Sequence, residues 1–321
     1  MSLPSSLKAR LRLPLIAAPM FLVSGPALVK AACRAGVIGA FPTANCRTVE
    51  ELDGWLSGMA DDAKRAADET GRAPAPFCPN LIVHRSNPRV ADDLAAVLRH
   101  RAEVVITSVG SPEPVLKPLK DAGCLVLADV ASVRHAEKAV AAGVDGLVLL
   151  TAGAGGQTGW ANPFAFVRAV RAFWPGLVVM AGGMADGHAI AAAETLGCDL
   201  AYMGTKFIAT RESLAKDGYK DMLVRSRLDD VLLTRAFTGL ETNMLRPSIV
   251  AAGLDPDDLP VRGAIDIAKD INAAERDRPD AKRWKDIWSA GHAVSGVADV
   301  PSVADLLART EAEYRTARGR A

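Results

Sequence analysis

Leu177-Val-Val-Met-Ala-Gly-Gly183 is an apolar run that stops at glycine and leads into a helical pattern. Shortly after it, Asp199-Leu-Ala-Tyr-Met-Gly-Thr205 repeats the arrangement. Glycine lets backbone N–H groups approach a ligand closely, and a helix start adds partial positive charge. Two such strand ends side by side suit a phosphate group. They come late in a repeating strand–helix pattern, where a (β/α)8 barrel commonly keeps its phosphate site, after its seventh and eighth strands.

Working back towards the N-terminus, the same alternation yields six earlier strands. They are Leu15–Ala18, Val37–Phe41, Phe77–Val83, Glu103–Thr107, Leu125–Asp129 and Gly146–Leu150. With Leu177–Ala181 and Leu200–Met203 they make eight. Several are nearly continuous apolar runs, as expected of strands buried on both faces of a parallel sheet. The segments between them carry helix signals. Gly25-Pro26 precedes Leu28, Val29 and Ala32, and Thr48 precedes Glu51 as in a capping box. Ser132 opens a stripe of Val133, Ala136, Ala139 and Val140, and Asn162-Pro163 opens one of Phe164, Val167 and Val170. Eight such units predict an α/β fold, a closed (β/α)8 TIM barrel.

The rhythm changes after Arg211. Residues 212–299 show charged helical stretches, Pro-bearing loops such as Asp255-Pro-Asp-Asp-Leu-Pro260, and no clear strands. They read as a mainly helical C-terminal insertion, a lid over the substrate. Pro301-Ser302 then starts a helix with Val303, Leu306 and Leu307 on one face. Residues 1–211 and 300–321 would form the barrel.

Composition narrows the partners. The chain has 321 residues, half of them hydrophobic, and a formal net charge of +1. That balance gives no electrostatic case for nucleic acid or an anionic membrane. No apolar run reaches the ~20 residues needed to span a bilayer, and the first residues carry no long apolar signal segment. The five cysteines, Cys33, Cys46, Cys78, Cys124 and Cys198, show no metal-ligand spacing. They read as reduced thiols buried in a cytoplasmic protein.

In a barrel of this kind the chemistry sits where strands end. The loop after the sixth strand, Thr151-Ala-Gly-Ala-Gly-Gly-Gln-Thr-Gly159, has an unhindered backbone that can lie against a planar ligand or turn Gln157 into a cavity. Asn80 is an amide inside an apolar strand, either satisfied in the core or aimed at a polar ring edge. Asp129 is a charge at a strand end where burial is costly, either paired with a neighbouring helix or functional. His84, after the third strand, is an acid–base candidate or a solvated loop residue. Trp284, Trp288 and His292 could roof a pocket, or the tryptophans could be core.

In this order and at these spacings, the motifs resemble the nitronate monooxygenase family, formerly called 2-nitropropane dioxygenases. The family also includes FMN-dependent enoyl-acyl-carrier-protein reductases and NADH:quinone reductases. The likeness runs through Pro14-Leu-Ile-Ala-Ala-Pro-Met20, Phe77-Cys-Pro-Asn-Leu81, Gly153–Gly159, Ala181-Gly-Gly183 with Asp186-Gly187, and Met203-Gly-Thr-Lys-Phe207. It implies FMN, with Gly182, Gly183, Gly204 and Thr205 on its phosphate. Met20 and Asn80 would lie against the ring and ribityl chain, and the strand-six loop, Gly156 included, would run beside the flavin facing the substrate. Many members carry a catalytic histidine where this chain has Gln157, and some carry a lysine near the flavin where it has Asp129. Gln157 has no useful basicity but can donate a hydrogen bond to a substrate oxygen, and Asp129 could exchange a proton if its pKa is raised.

The resemblance therefore implies oxidation of alkyl nitronates with O2. The alternative is an NAD(P)H-dependent FMN reductase acting on an enoyl thioester or quinone. A non-catalytic flavin protein and a sugar-phosphate barrel are further readings. The expected partners are a small-molecule substrate with O2 or NAD(P)H, and a homodimer is a possible assembly.

Overall fold

The computed structural model describes residues 3–260 and 286–319. Eight parallel strands close into a barrel. They are β1 (Leu15–Ala17), β2 (Ile38–Pro42), β3 (Phe77–Ile82), β4 (Val104–Ser108), β5 (Leu125–Val130), β6 (Gly146–Leu150), β8 (Leu177–Ala181) and β9 (Leu200–Met203). β9 returns to β1 with Tyr202 opposite Ile16, which completes the ring. The expected (β/α)8 barrel is present, with strand ends within about a residue or two of the expected ones.

Alternate residues of each strand point inward. Ile16, Ile38, Cys78, Ile106, Leu127, Val148, Val179 and Leu200 form an inner core, separate from the larger core between strands and helices. Two residues further along the same inward faces come Asn80, Ser108, Asp129, Leu150, Ala181 and Tyr202. The barrel's mouth is therefore floored by residues whose direction is fixed by the strand period.

The helices start where their caps predict. Thr48 Oγ1 accepts from the Glu51 amide at 3.1 Å, and the Glu51 carboxylate accepts from the Arg47 amide at 2.7 Å. Ser132 and Asn162 cap the helices Val133–Ala142 and Pro163–Arg171. In the latter helix Phe166, Val167 and Val170 are buried, whereas Phe164, expected on that face, is 61% exposed. The final helix, Val303–Gly319, packs on Gly187–Leu196 and closes the outer ring. No helix among the described residues is long and apolar enough to cross a membrane.

The segment after Arg211 departs from its reading. It contains two strands, β10 (Val231–Thr234) and β11 (Thr242–Leu245), which form an antiparallel hairpin. β11 also pairs with β7 (Gly156–Gln157), a two-residue strand inside the glycine-rich loop. Helices Asp217–Arg225 and Arg246–Ala251 flank this sheet. Tyr219, Leu223, Leu245, Ala290 and Val294 share a core of their own beneath it.

Candidate active site

A cavity of about 350 Å³ lies over the C-terminal end of the barrel. Its floor is the inward layer that includes Asn80, Ser108, Asp129 and Tyr202. One side is made by Gly182, Gly183, Gly204 and Thr205, another by Gly153 to Gln157, and the segment after Arg211 supplies Leu214, Tyr219, Leu240, Ile287 and Trp288. Volume and a mostly apolar lining with few polar groups are what a small-molecule site requires.

The glycine side has the geometry of an anion cradle. Gly182 and Gly183 have φ of +107° and +71°. A Cβ on Gly182 would sit 2.4 Å from Thr151 Oγ1, a hydroxyl already held by the Ala181 carbonyl at 2.6 Å. The amides of Gly182, Gly183, Gly204 and Thr205 donate to no acceptor among the described residues. The Thr205 hydroxyl accepts from the Gly291 amide at 2.9 Å, which ties the end of β9 to the lid. Met20 lies against this side, its Sδ 3.5 Å from where a Cβ of Gly204 would stand.

On the floor, Asn80 Nδ2 donates to Ser108 Oγ at 3.1 Å and to the Ile106 carbonyl at 3.4 Å. Asn80 is thus oriented by its neighbours while still facing the cavity. Asp129 is different: its Oδ1 is buried with no hydrogen-bond partner among the described residues. It makes no ion pair with a helix among the described residues. Loss of hydration pushes the carboxyl up from 3.8 to about 7. Tyr202 and Cys78 are also raised by burial, and an ionised Asp129 pushes both further.

Gln157 lines the cavity and is half-buried. The glycines of its loop have a packing reason. A Cβ on Gly155 would meet the Gly291 amide at 2.7 Å, and one on Gly291 would meet the Gly153 carbonyl at 2.5 Å. Two backbones are pressed together here, and the His292 amide donates to the Gly153 carbonyl at 2.9 Å. Asn243 Nδ2 adds a buried bond of 2.7 Å to the Ala154 carbonyl.

The structure thus brings Met20, Asn80, Asp129, Gly156, Gln157, Gly182, Gly183, Gly204 and Thr205 to one cavity. His84 is not there. Its Nδ1 lies 2.8 Å from Ser86 Oγ, within its own loop, and it is outside the cavity lining. β3 ends at Ile82, which lines the cavity, and His84 stands two residues beyond it. Trp288 does roof the cavity, stacked on Tyr219 at 5.0 Å and 10°. His292 is exposed and outside the lining, and Trp284 lies outside the described residues. Tyr202 and the lid residues Tyr219 and Leu240 were not anticipated. Tyr202 had a signal, since it stands two residues after the inward-facing Leu200.

The sequence model of the nitronate monooxygenase family matches residues 5–312, nearly the whole chain. This chain belongs to the nitronate monooxygenase family. A nitronate monooxygenase of Paraburkholderia phytofirmans is 29% identical, over 94% of this chain and 92% of that protein. Nitroalkane oxidase from Streptomyces ansochromogenes is 26% identical and superposes with a TM-score of 0.73, covering 99% of this chain and 100% of that one. FabK from Thermotoga maritima, 22% identical, shares the fold with a TM-score of 0.79 over 98% of this chain and 96% of its own. The chain is an oxidoreductase of this family.

Proposed function

We propose that the chain is an FMN-dependent oxidoreductase that oxidises small, largely apolar alkyl nitronates with O2. The observation that carries the reading is the cradle of unpaired amides at the ends of β8 and β9, beside a floor with one orphaned polar atom. The residues fit FMN: Gly182, Gly183, Gly204 and Thr205 would hold the phosphate, and Met20, Asn80, Asp129 and Gly156 would lie along the ring and ribityl chain. When bound, FMN supplies the electron-accepting ring. In this reading the described parts of 1–211 and 300–321 would make up the FMN-binding unit and those of 212–299 its cover, and a cytoplasmic location belongs to it.

The protein's own part is orientation and exclusion of water. Gln157 offers an amide N–H to a nitronate oxygen, and it needs no basicity because a nitronate is already deprotonated. Leu214, Leu240, Ile287 and Trp288 cover the substrate's apolar portion. Asp129, retaining its proton up to about pH 7, does not repel the anion below that pH.

One observation favours a second reading. The proton that Asp129 retains is not needed for nitronate oxidation, but it is useful to an NAD(P)H-dependent reductase of an enoyl thioester or quinone. Anaerobic mixing of the flavin-loaded protein with propyl nitronate, NADH and NADPH in separate runs decides between them. Rapid bleaching by propyl nitronate alone is the expected result. Bleaching by a nicotinamide and not by nitronate would replace the first reading with the second.

A further inference from the structure

Among the described residues that line the cavity, Asp129 is the sole carboxylate. It lies on β5, in register with Val148 of β6, and its side chain is turned to the inside of the barrel. The titratable neighbours facing it are Tyr202 from β9 and Cys78 from the layer below on β3, both neutral groups whose ionisation it opposes. From β3 and β4, Asn80 and Ser108 are engaged with each other. β6 and β8 present Leu150 and Ala181, and β1 and β2 present Ala18 and Pro42. Among the described residues, the other charged side chain in the lining is Lys216, from the segment after Arg211, whose Nζ is 3.4 Å from Asp286.

These surroundings divide the carboxyl's two oxygens. Oδ1 is shut away without a donor, so Oδ2 is the oxygen left turned to the cavity. A carboxylate would put negative charge on an oxygen that nothing stabilises, and that is expensive in an apolar setting. A carboxylic acid resolves the conflict. Oδ1 becomes a neutral carbonyl oxygen, far cheaper to leave unpaired, and Oδ2–H becomes a donor aimed at whatever covers the floor.

We propose that Asp129 grips its bound ring as the protonated acid, donating from Oδ2 to an acceptor atom on the ring's edge, so that binding weakens as the carboxyl ionises. The ligand class is a planar heterocycle with a carbonyl oxygen or unprotonated ring nitrogen directed at the floor. The proposal rests on the flavin reading above and deepens it: it states the polarity of one contact. A ring that turned an N–H to the floor would call for the carboxylate instead, with the opposite pH dependence. The raised carboxyl supports the choice, since ionisation begins close to neutrality.

The test is a titration of flavin-free protein with FMN, followed by quenching of flavin fluorescence between about pH 5.5 and 8.5, with D129N and D129L alongside. D129N keeps a donor and loses the titration, so it also carries whatever slope the phosphate itself contributes. D129L removes the donor, and far-UV circular dichroism confirms that each variant is folded. The expected result is a wild-type Kd that rises by up to about tenfold per pH unit above the carboxyl's midpoint, over and above the D129N slope. D129L should bind several-fold more weakly at low pH and match the D129N slope. A wild-type slope equal to that of D129N, or a Kd that falls with pH, overturns the donor assignment while leaving the flavin reading standing. Absence of FMN binding at every pH overturns both.

Discussion

Gln157 and Thr242 are register partners across the antiparallel pairing of β7 with β11. The glutamine that faces the cavity is therefore held by the lid's hairpin as much as by the barrel. Its position is fixed from two sides, which makes it a good place to install a base. Gln157→His should raise kcat/KM on neutral nitroalkanes by about tenfold or more, with a rate that climbs through the imidazole's titration. Activity on preformed nitronates should change little. A folded, flavin-bearing variant with no gain on nitroalkanes would place Gln157 away from the reacting carbon.

Asn243 is the clamp that keeps this arrangement together. Its side-chain amide donates to the Ala154 carbonyl at 2.7 Å, with both groups buried. Asn243→Ala should cost about 1–3 kcal/mol, because the carbonyl is left unpaired. Hydrogen exchange should quicken in residues 152–158 and remain unchanged in β1 to β5. Uniform loss of protection across the barrel would mean that the bond is not local in its effect.

The two cradle glycines at the end of β8 should respond differently to alanine. Gly182 has φ of +107° and 2.4 Å between its virtual Cβ and Thr151 Oγ1. Gly182→Ala should destabilise the fold by about 1–3 kcal/mol and weaken FMN binding more than tenfold. Gly183 has φ of +71° and no atom within 4 Å of the virtual Cβ. Gly183→Ala should cost only the left-handed backbone penalty, about 1–2 kcal/mol. Denaturant melts and flavin titrations on both variants check the ranking.

Asp129 predicts a slope in stability against pH. Its folded value, about 7, lies above the ordinary 3.8, so between roughly pH 4 and pH 7 the unfolded chain releases a proton that the flavin-free folded chain keeps. Stability from this group is complete below the lower value and is lost as pH rises to the upper one, by up to ~4 kcal/mol. Urea melts of flavin-free protein should show D129N gaining on wild type as pH rises from about 5 to 8. A constant difference between the two would mean that the carboxyl is solvated or paired after all.

The barrel was legible because its strands are buried on both faces and read as continuous apolar runs bounded by turn residues. The cradle was legible because Gly182-Gly183 and Gly204 stop two of those runs. The hairpin was not, since Val231–Thr234 and Thr242–Leu245 are short and their partner is a two-residue strand of glycine and glutamine. That pairing is long-range and leaves no local periodicity. His84 misled because a polar residue after a strand cannot be assigned to the mouth or the outer loop without knowing where the strand stops. Asp129 was found as an anomaly, but its lack of a partner required the three-dimensional neighbourhood.

The claim on which the rest depends is that backbone amides at the ends of β8 and β9 hold a phosphate. It is tested most directly by titrating flavin-free protein with FMN and, separately, with riboflavin, which has the same ring and no phosphate. FMN should bind at about one per chain and roughly a hundredfold more tightly than riboflavin, as several charge-assisted bonds from unpaired amides require. Equal affinity for the two, or no binding of either, would contradict the account.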